Sequence, residues 1–165
     1  MKPGRWSWRC IVQTVANSDF KELLNLFEDY EVRYLVVGGY AVMYYCEPRY
    51  TKDLDIWVDA SPDNAHKVYN ALARFGAPLK GITPEDFSTQ DLVYQMGIPP
   101  VRVDVIISLD GVTFQDAWQS RQRGEFEGLA VWFIGRDDLI KNKAASGRHI
   151  DLHDVEQLTL RRERR

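Results

Sequence analysis

The chain has 165 residues, 45% of them apolar and 27% charged, which excludes a fibrous repeat, a disordered chain and a membrane-spanning protein and fits one domain with a continuous core. The formal net charge of −3 gives no global attraction to nucleic acid or anionic lipid; only the end, Arg161-Arg162-Glu163-Arg164-Arg165, is locally basic and reads as a solvated tail over 161–165. Cys10 and Cys46 match no zinc or redox spacing, so a reducing, cytoplasmic setting is expected.

Lys2, Arg5 and Arg9 precede an apolar stretch, but Gln13 and Thr14 cut it shorter than the roughly 7 to 15 residues of a signal-peptide core. Residues 1–17, with Trp6 and Trp8, are expected to form a loosely attached leader or interaction arm, ahead of a domain over 18–160. Ser18 can cap a helix to about Tyr30, with Phe20, Leu23, Leu24 and Phe27 on one stripe. Arg33 to Val37 reads as a buried strand, Gly38-Gly39 as a turn, and Tyr40 to Cys46 as a short helix stopped by Glu47-Pro48. Asp53 to Val58 is the next strand. Ser61-Pro62 opens a helix of about four turns that Gly76 closes.

Leu92 to Met96 and Val101 to Ile107 are β-rich runs split by Gly97-Ile98-Pro99-Pro100, predicting an antiparallel pair. Thr113 can cap a helix through Gln119; Gly128 precedes a strand over Leu129 to Ile134; Arg136 to Ala145 and Asp151 to Leu160 read as closing helices. Strands and helices mix without strict βαβ alternation. The expectation is an α+β fold, a mixed β-sheet with helices packed on it in two layers.

Asp53 and Asp55 stand two residues apart in a strand, so both leave one face while Leu54, Ile56 and Val58 leave the other. Arg102 and Asp104 alternate in the same way with Val101, Val103, Val105 and Ile107. Aspartates inside apolar strands are costly unless paired or metal-bound. Three carboxylates on two strands suit hard cations such as Mg2+, in a two-ion arrangement that holds phosphates and activates an attacking oxygen. The alternative is a set of salt-bridged aspartates with Lys52 and Arg102 as partners. Gly38-Gly39, about fourteen residues before Asp53, can present bare amides and a helix N-terminus to a phosphate, with Arg49 and Lys52 as further phosphate contacts; the alternative is a plain strand-to-helix turn.

Val37-Gly38-Gly39-Tyr40-Ala41 followed by Arg49-Tyr50-Thr51-Lys52-Asp53-Leu54-Asp55-Ile56 resembles the signature of the DNA polymerase β-like nucleotidyltransferase superfamily, nearest in look to small bacterial members related to abortive-infection toxin nucleotidyltransferases. Gly97 to Pro100 leading into Arg102-Val103-Asp104-Val105, then Asp138-Leu139-Ile140 with Lys143, and Gly147-Arg148 with Asp151 and Asp154 extend the likeness over about Phe20 to Leu158. The resemblance implies transfer of a nucleoside monophosphate from a nucleoside triphosphate such as ATP, with pyrophosphate leaving. It implies Asp53, Asp55 and Asp104 as catalytic metal ligands for two Mg2+ ions, or Mn2+, with Asp104 helping to deprotonate the acceptor hydroxyl. Gly38, Gly39, Arg49, Thr51, Lys52, Arg102, Lys143 and Arg148 would then serve nucleotide binding. Asp151 and Asp154 would anchor Arg148 or cap helix ends. Tyr40 departs from members that carry a small hydroxyl residue near this turn.

His149 and His153 have i, i+4 spacing, yet the glutamate beside the first histidine of the zinc-protease motif is missing, Asp151 following two residues later. Two functional readings follow: an active nucleotidyltransferase acting on a small molecule, an RNA end or a partner protein, in a toxin–antitoxin or antibiotic-modification context, or a noncatalytic, antitoxin-like regulatory module on the same fold. A homodimer or toxin–antitoxin pair, with Trp6 and Trp8 as contacts, is the expected assembly.

Overall fold

A computed structural model describes residues 15–48, 50–51, 53–98 and 101–163. Trp6, Trp8, Cys10 and the end of the basic tail lie outside them. Helix α1 spans Val15–Asp29, β1 Tyr34–Val37, α2 Gly38–Tyr45, β2 Asp53–Val58, α3 Pro62–Phe75, β3 Val93–Met96 and β4 Arg102–Ile106. The remainder is α4 Phe114–Gln119, β5 Gln122–Phe126, β6 Leu129–Phe133, α5 Arg136–Ser146 and α6 His149–Glu163, with a 3₁₀ turn at Pro84–Ser88.

The six strands form one mixed sheet in the order β3-β4-β2-β1-β6-β5. Strands β1 and β2 run antiparallel, β2 and β4 parallel, β3 and β4 antiparallel. Strand β6 runs parallel to β1 and antiparallel to β5. The fold is therefore α+β with a mixed sheet. Strand β1 is buried at all four positions, and Leu54, Ile56 and Val58 of β2 are buried with it. The stripe Phe20, Leu23, Leu24 and Phe27 of α1 has no solvent contact to speak of, and α1 packs on α3 through this core. A second group of helices, α2, α5 and α6, packs together. Among the described residues no helix is long and apolar enough to cross a membrane.

Several boundaries differ from expectation. Helix α1 starts at Val15, three residues before Ser18, in a stretch that no proline or glycine interrupts. Helix α2 starts at Gly38, with Val37 as its cap residue, so strand, glycine turn and helix merge without a loop. Helix α6 starts at His149. Strand β5 was not expected, since Gln122-Arg123-Gly124-Glu125 is polar, largely exposed and interrupted by glycine. Gly76 ends α3 in the left-handed conformation and Thr113 caps α4 by accepting a hydrogen bond from the Asp116 amide, as the residue types predict.

Candidate active site

The parallel pairing of β2 and β4 sets Asp53 opposite Arg102 and Asp55 opposite Asp104. Partners in register point to the same face, so the three carboxylates share one face of adjacent strands. Strand β1 pairs with the other edge of β2, placing Val37 opposite Asp55 and the start of α2 beside it. The approach is close: a Cβ on Gly38 would stand 2.1 Å from Asp55 Oδ2, and Gly38 holds φ +64°. Only glycine meets both conditions without displacing the carboxylate.

Arg102 lies across the cluster. Its Nη2 is 2.9 Å from Asp53 Oδ2, and its Nε and Nη2 reach Asp104 Oδ1 at 3.1 Å and Oδ2 at 3.2 Å. It thus ties Asp53 and Asp104 together. Asp55 is pushed up to about 7, first by burial and then by the charges of Asp104 and Asp53, which Lys143 and Arg102 offset only in part. Asp53 Oδ1 is buried and accepts no hydrogen bond from the described residues.

These features test the donor set against a divalent cation. Among the described residues no three His, Cys, Asp or Glu side chains already stand around one point as a finished cation site, which holds for His149 and His153 as well. The chemistry nonetheless fits a hard cation: three clustered carboxylates, one with an uncommitted buried oxygen and one driven toward protonation by its neighbours.

Beside the carboxylates opens a cleft of about 300 Å³, with Gly38, Asp55, Lys143, Ser146, Arg148 and Asp151 among its walls. Lys143 is only 6% exposed; its ammonium contacts Asp151 Oδ1 at 2.9 Å and Asp154 Oδ2 at 3.2 Å. Arg148 bonds Asp151 through Nε at 2.7 Å. Asp138, buried at the start of α5, accepts a hydrogen bond from Ser120 and so stitches α5 to the end of α4.

The remaining expected residues divide. Gly39 is buried in the first turn of α2, and the Thr51 hydroxyl lies 3.5 Å from the Asp53 carbonyl oxygen, just before β2. Arg49 and Lys52 lie outside the described residues. Tyr40 turns away from the cleft into the core, against Phe20 and Phe126, and burial pushes its hydroxyl up to about 12. Tyr40 is thus not among the residues that line the cleft. Sequence reasoning missed Ser108, Asp110 and Asn142, which line the cleft. The available signal was position: Ser108 to Asp110 follow the carboxyl end of a parallel strand, where α/β sheets place their ligands. Gly111 brings this loop against α5, since a Cβ there would stand 2.8 Å from that of Ala145.

No curated protein matches the chain. A family model described as a nucleotidyltransferase of unknown function (DUF6036) matches residues 16–163, from α1 to the end of α6, and the chain belongs to that family.

Proposed function

We propose that the protein transfers a nucleoside monophosphate from a nucleoside triphosphate to an acceptor hydroxyl. The observation that carries this reading is the alignment of Asp53, Asp55 and Asp104 on one sheet face, with the Gly38 turn pressed against Asp55 in the wall of the cleft. Asp53, Asp55 and Asp104 would hold two Mg2+ ions, for which Mn2+ can substitute by donor chemistry. When bound, those ions supply charge neutralisation of the phosphates and Lewis-acid activation of the acceptor oxygen.

The charge balance supports a metal-assisted substrate. Among the described residues, six carboxylates (Asp53, Asp55, Asp104, Asp110, Asp151 and Asp154) and three cationic side chains (Arg102, Lys143 and Arg148) surround the cluster and cleft, a balance that disfavours a bare polyanion. The amides at the start of α2 and the Arg148 guanidinium are the groups available to the phosphates. Asp104 takes the proton of the acceptor hydroxyl. The acceptor oxygen then bonds to the α-phosphorus, the bond from that phosphorus to the bridging oxygen breaks, and pyrophosphate departs with the electron pair.

The acceptor is a small molecule, an RNA end or a partner protein, in a toxin–antitoxin or antibiotic-modification setting suggested by the resemblance of the motifs to abortive-infection toxin nucleotidyltransferases, and the compartment is the cytoplasm. A second reading, a noncatalytic nucleotide-binding module, draws on Arg102 bridging Asp53 and Asp104. Incubating the protein with each α-labelled nucleoside triphosphate, Mg2+ and pools of the three acceptor classes separates them. Label appearing on an acceptor, dependent on Mg2+, supports transfer; Mg2+-dependent binding without any transfer supports the module.

A further inference from the structure

Strand β4 opens on Arg102, which lies opposite Asp53 on β2 and two residues before the level that joins Asp55 to Asp104. A spacing of two along a strand puts Arg102 and Asp104 on the same face, so the long side chain of the first reaches over the carboxylates. Its Nη2 stands 2.9 Å from Asp53 Oδ2 and 3.2 Å from Asp104 Oδ2, and its Nε 3.1 Å from Asp104 Oδ1.

As an ion pair this contact is poorly made. Arginine holds a carboxylate best through two parallel N–H···O bonds to one group, whereas Arg102 divides its donors between two. Arg102 Nε and Asp104 Oδ1 are close, yet both are buried and neither has a hydrogen bond among the described residues; the same holds for Asp53 Oδ1. Among the described residues five buried side-chain polar atoms lack a hydrogen bond, and three of the five belong to this one contact. A bridge kept for stability would satisfy its buried groups. Charge points the same way, since one guanidinium spans two of three clustered carboxylates, while Lys143 is held by Asp151 and Asp154.

We infer that Arg102 is a displaceable counter-ion of the carboxylate site: its guanidinium competes with the divalent cation for oxygens of Asp53 and Asp104, and withdraws to admit the ion. The two carboxylates sit on paired strands, and the Asp104 side chain is only 11% exposed; the Arg102 side chain is 32% exposed and has a way out to solvent. The inference rests on the metal-dependent transfer reading above. It gives Arg102 an effect opposite in sign to that of a residue that holds the carboxylates in place, whose loss would weaken cation binding. A residue that only meets phosphates would leave binding of the cation alone unchanged.

The test is titration of the full chain with Mn2+ alone, read as free Mn2+ by electron paramagnetic resonance, for the wild type, Arg102→Met and Arg123→Met. Arg123 is paired with Glu28 on β5, three strands from β2, and controls for the loss of one positive charge anywhere on the chain. Arg102→Met is expected to bind Mn2+ about tenfold more tightly than the wild type, and Arg123→Met to match the wild type. Melting curves add a second readout: Mn2+ should raise the melting temperature of Arg102→Met more than that of the wild type. Unchanged or weaker Mn2+ binding in Arg102→Met, or equal tightening in Arg123→Met, overturns the inference while leaving metal-dependent transfer standing. If Arg102→Met does not fold, Arg102→Lys, whose single ammonium replaces the fork, is read in its place: tighter Mn2+ binding supports the inference and wild-type or weaker binding overturns it. Absence of Mn2+ binding from the wild type and the Arg102 variant alike overturns both.

Discussion

Gly38→Ala perturbs the turn under Asp55 by a single methyl group. Two costs add. The residue holds φ +64°, where an L side chain costs about 1–2 kcal/mol, and the new Cβ would stand 2.1 Å from Asp55 Oδ2 and 3.0 Å from Cγ. Relief requires Asp55 to leave its rotamer, at about 0.5–1.5 kcal/mol, or β2 and α2 to part. The sum is about 1.5–3.5 kcal/mol, a fall in melting temperature of roughly 3–14 °C for a chain of this size. Gly76→Ala is the matched control: φ is +92° but nothing lies within 4 Å of the added Cβ, so only the backbone cost of about 1–2 kcal/mol remains. Activity separates the pair more sharply than stability. A carboxylate displaced by about 1 Å can cost about 100-fold in rate, so Gly38→Ala is expected to lose nucleotide transfer by that order and Gly76→Ala to keep it. Melting curves and transfer rates on the two variants suffice. Equal activity in both would refute the claim that the glycine turn exists to seat Asp55.

Two further predictions concern the carboxylate face and the strand beneath it. Asp55 is pushed up from 3.8 to about 7, so between those values the folded metal-free protein holds a proton that the unfolded chain has released. Its stability should therefore fall as pH rises from about 4 to about 7 and level off above; urea titrations at pH 5, 6, 7 and 8 should show this slope reduced in Asp55→Asn, and an unchanged slope would contradict it. Trp57→Phe removes the indole N–H that donates to the Ile107 carbonyl at 3.1 Å in the core and leaves that oxygen unpaired, at about 1–3 kcal/mol in chemical denaturation; a smaller loss would show that another donor reaches Ile107.

Much of the site is legible in the sequence because it violates local rules. Asp53 and Asp55 interrupt an apolar strand at period two, which fixes their common face before any pairing is known, while Asp104 joins that face through the pairing of β4 with β2. Strand β5 was invisible for the converse reason. Gly124 breaks its strand character, and the cause is tertiary: a Cβ there would stand 2.5 Å from the Tyr44 ring and 2.9 Å from that of Phe133. The burial of Lys143 is equally hidden, since a lysine on a polar helix reads as a surface residue until Asp151 and Asp154 arrive from the next helix. Arg102 was expected to serve the nucleotide, and its span across Asp53 and Asp104 depends on the parallel register of β2 and β4, which no local pattern encodes. The loop carrying Ser108 and Asp110 joins the cleft only because Gly111 lets it lie against α5.

The central claim is that Asp53 and Asp55 are functional groups and not structural ones. It is tested most directly by measuring Mg2+-dependent nucleotide transfer and circular dichroism side by side for the wild type, Asp53→Ala and Asp55→Ala. Removing a charge from a crowded cluster should leave the fold intact, because Asp55 is already disfavoured as an anion by burial and by Asp104 and Asp53. The account predicts native spectra with transfer abolished in both variants; native spectra with full transfer activity would contradict it.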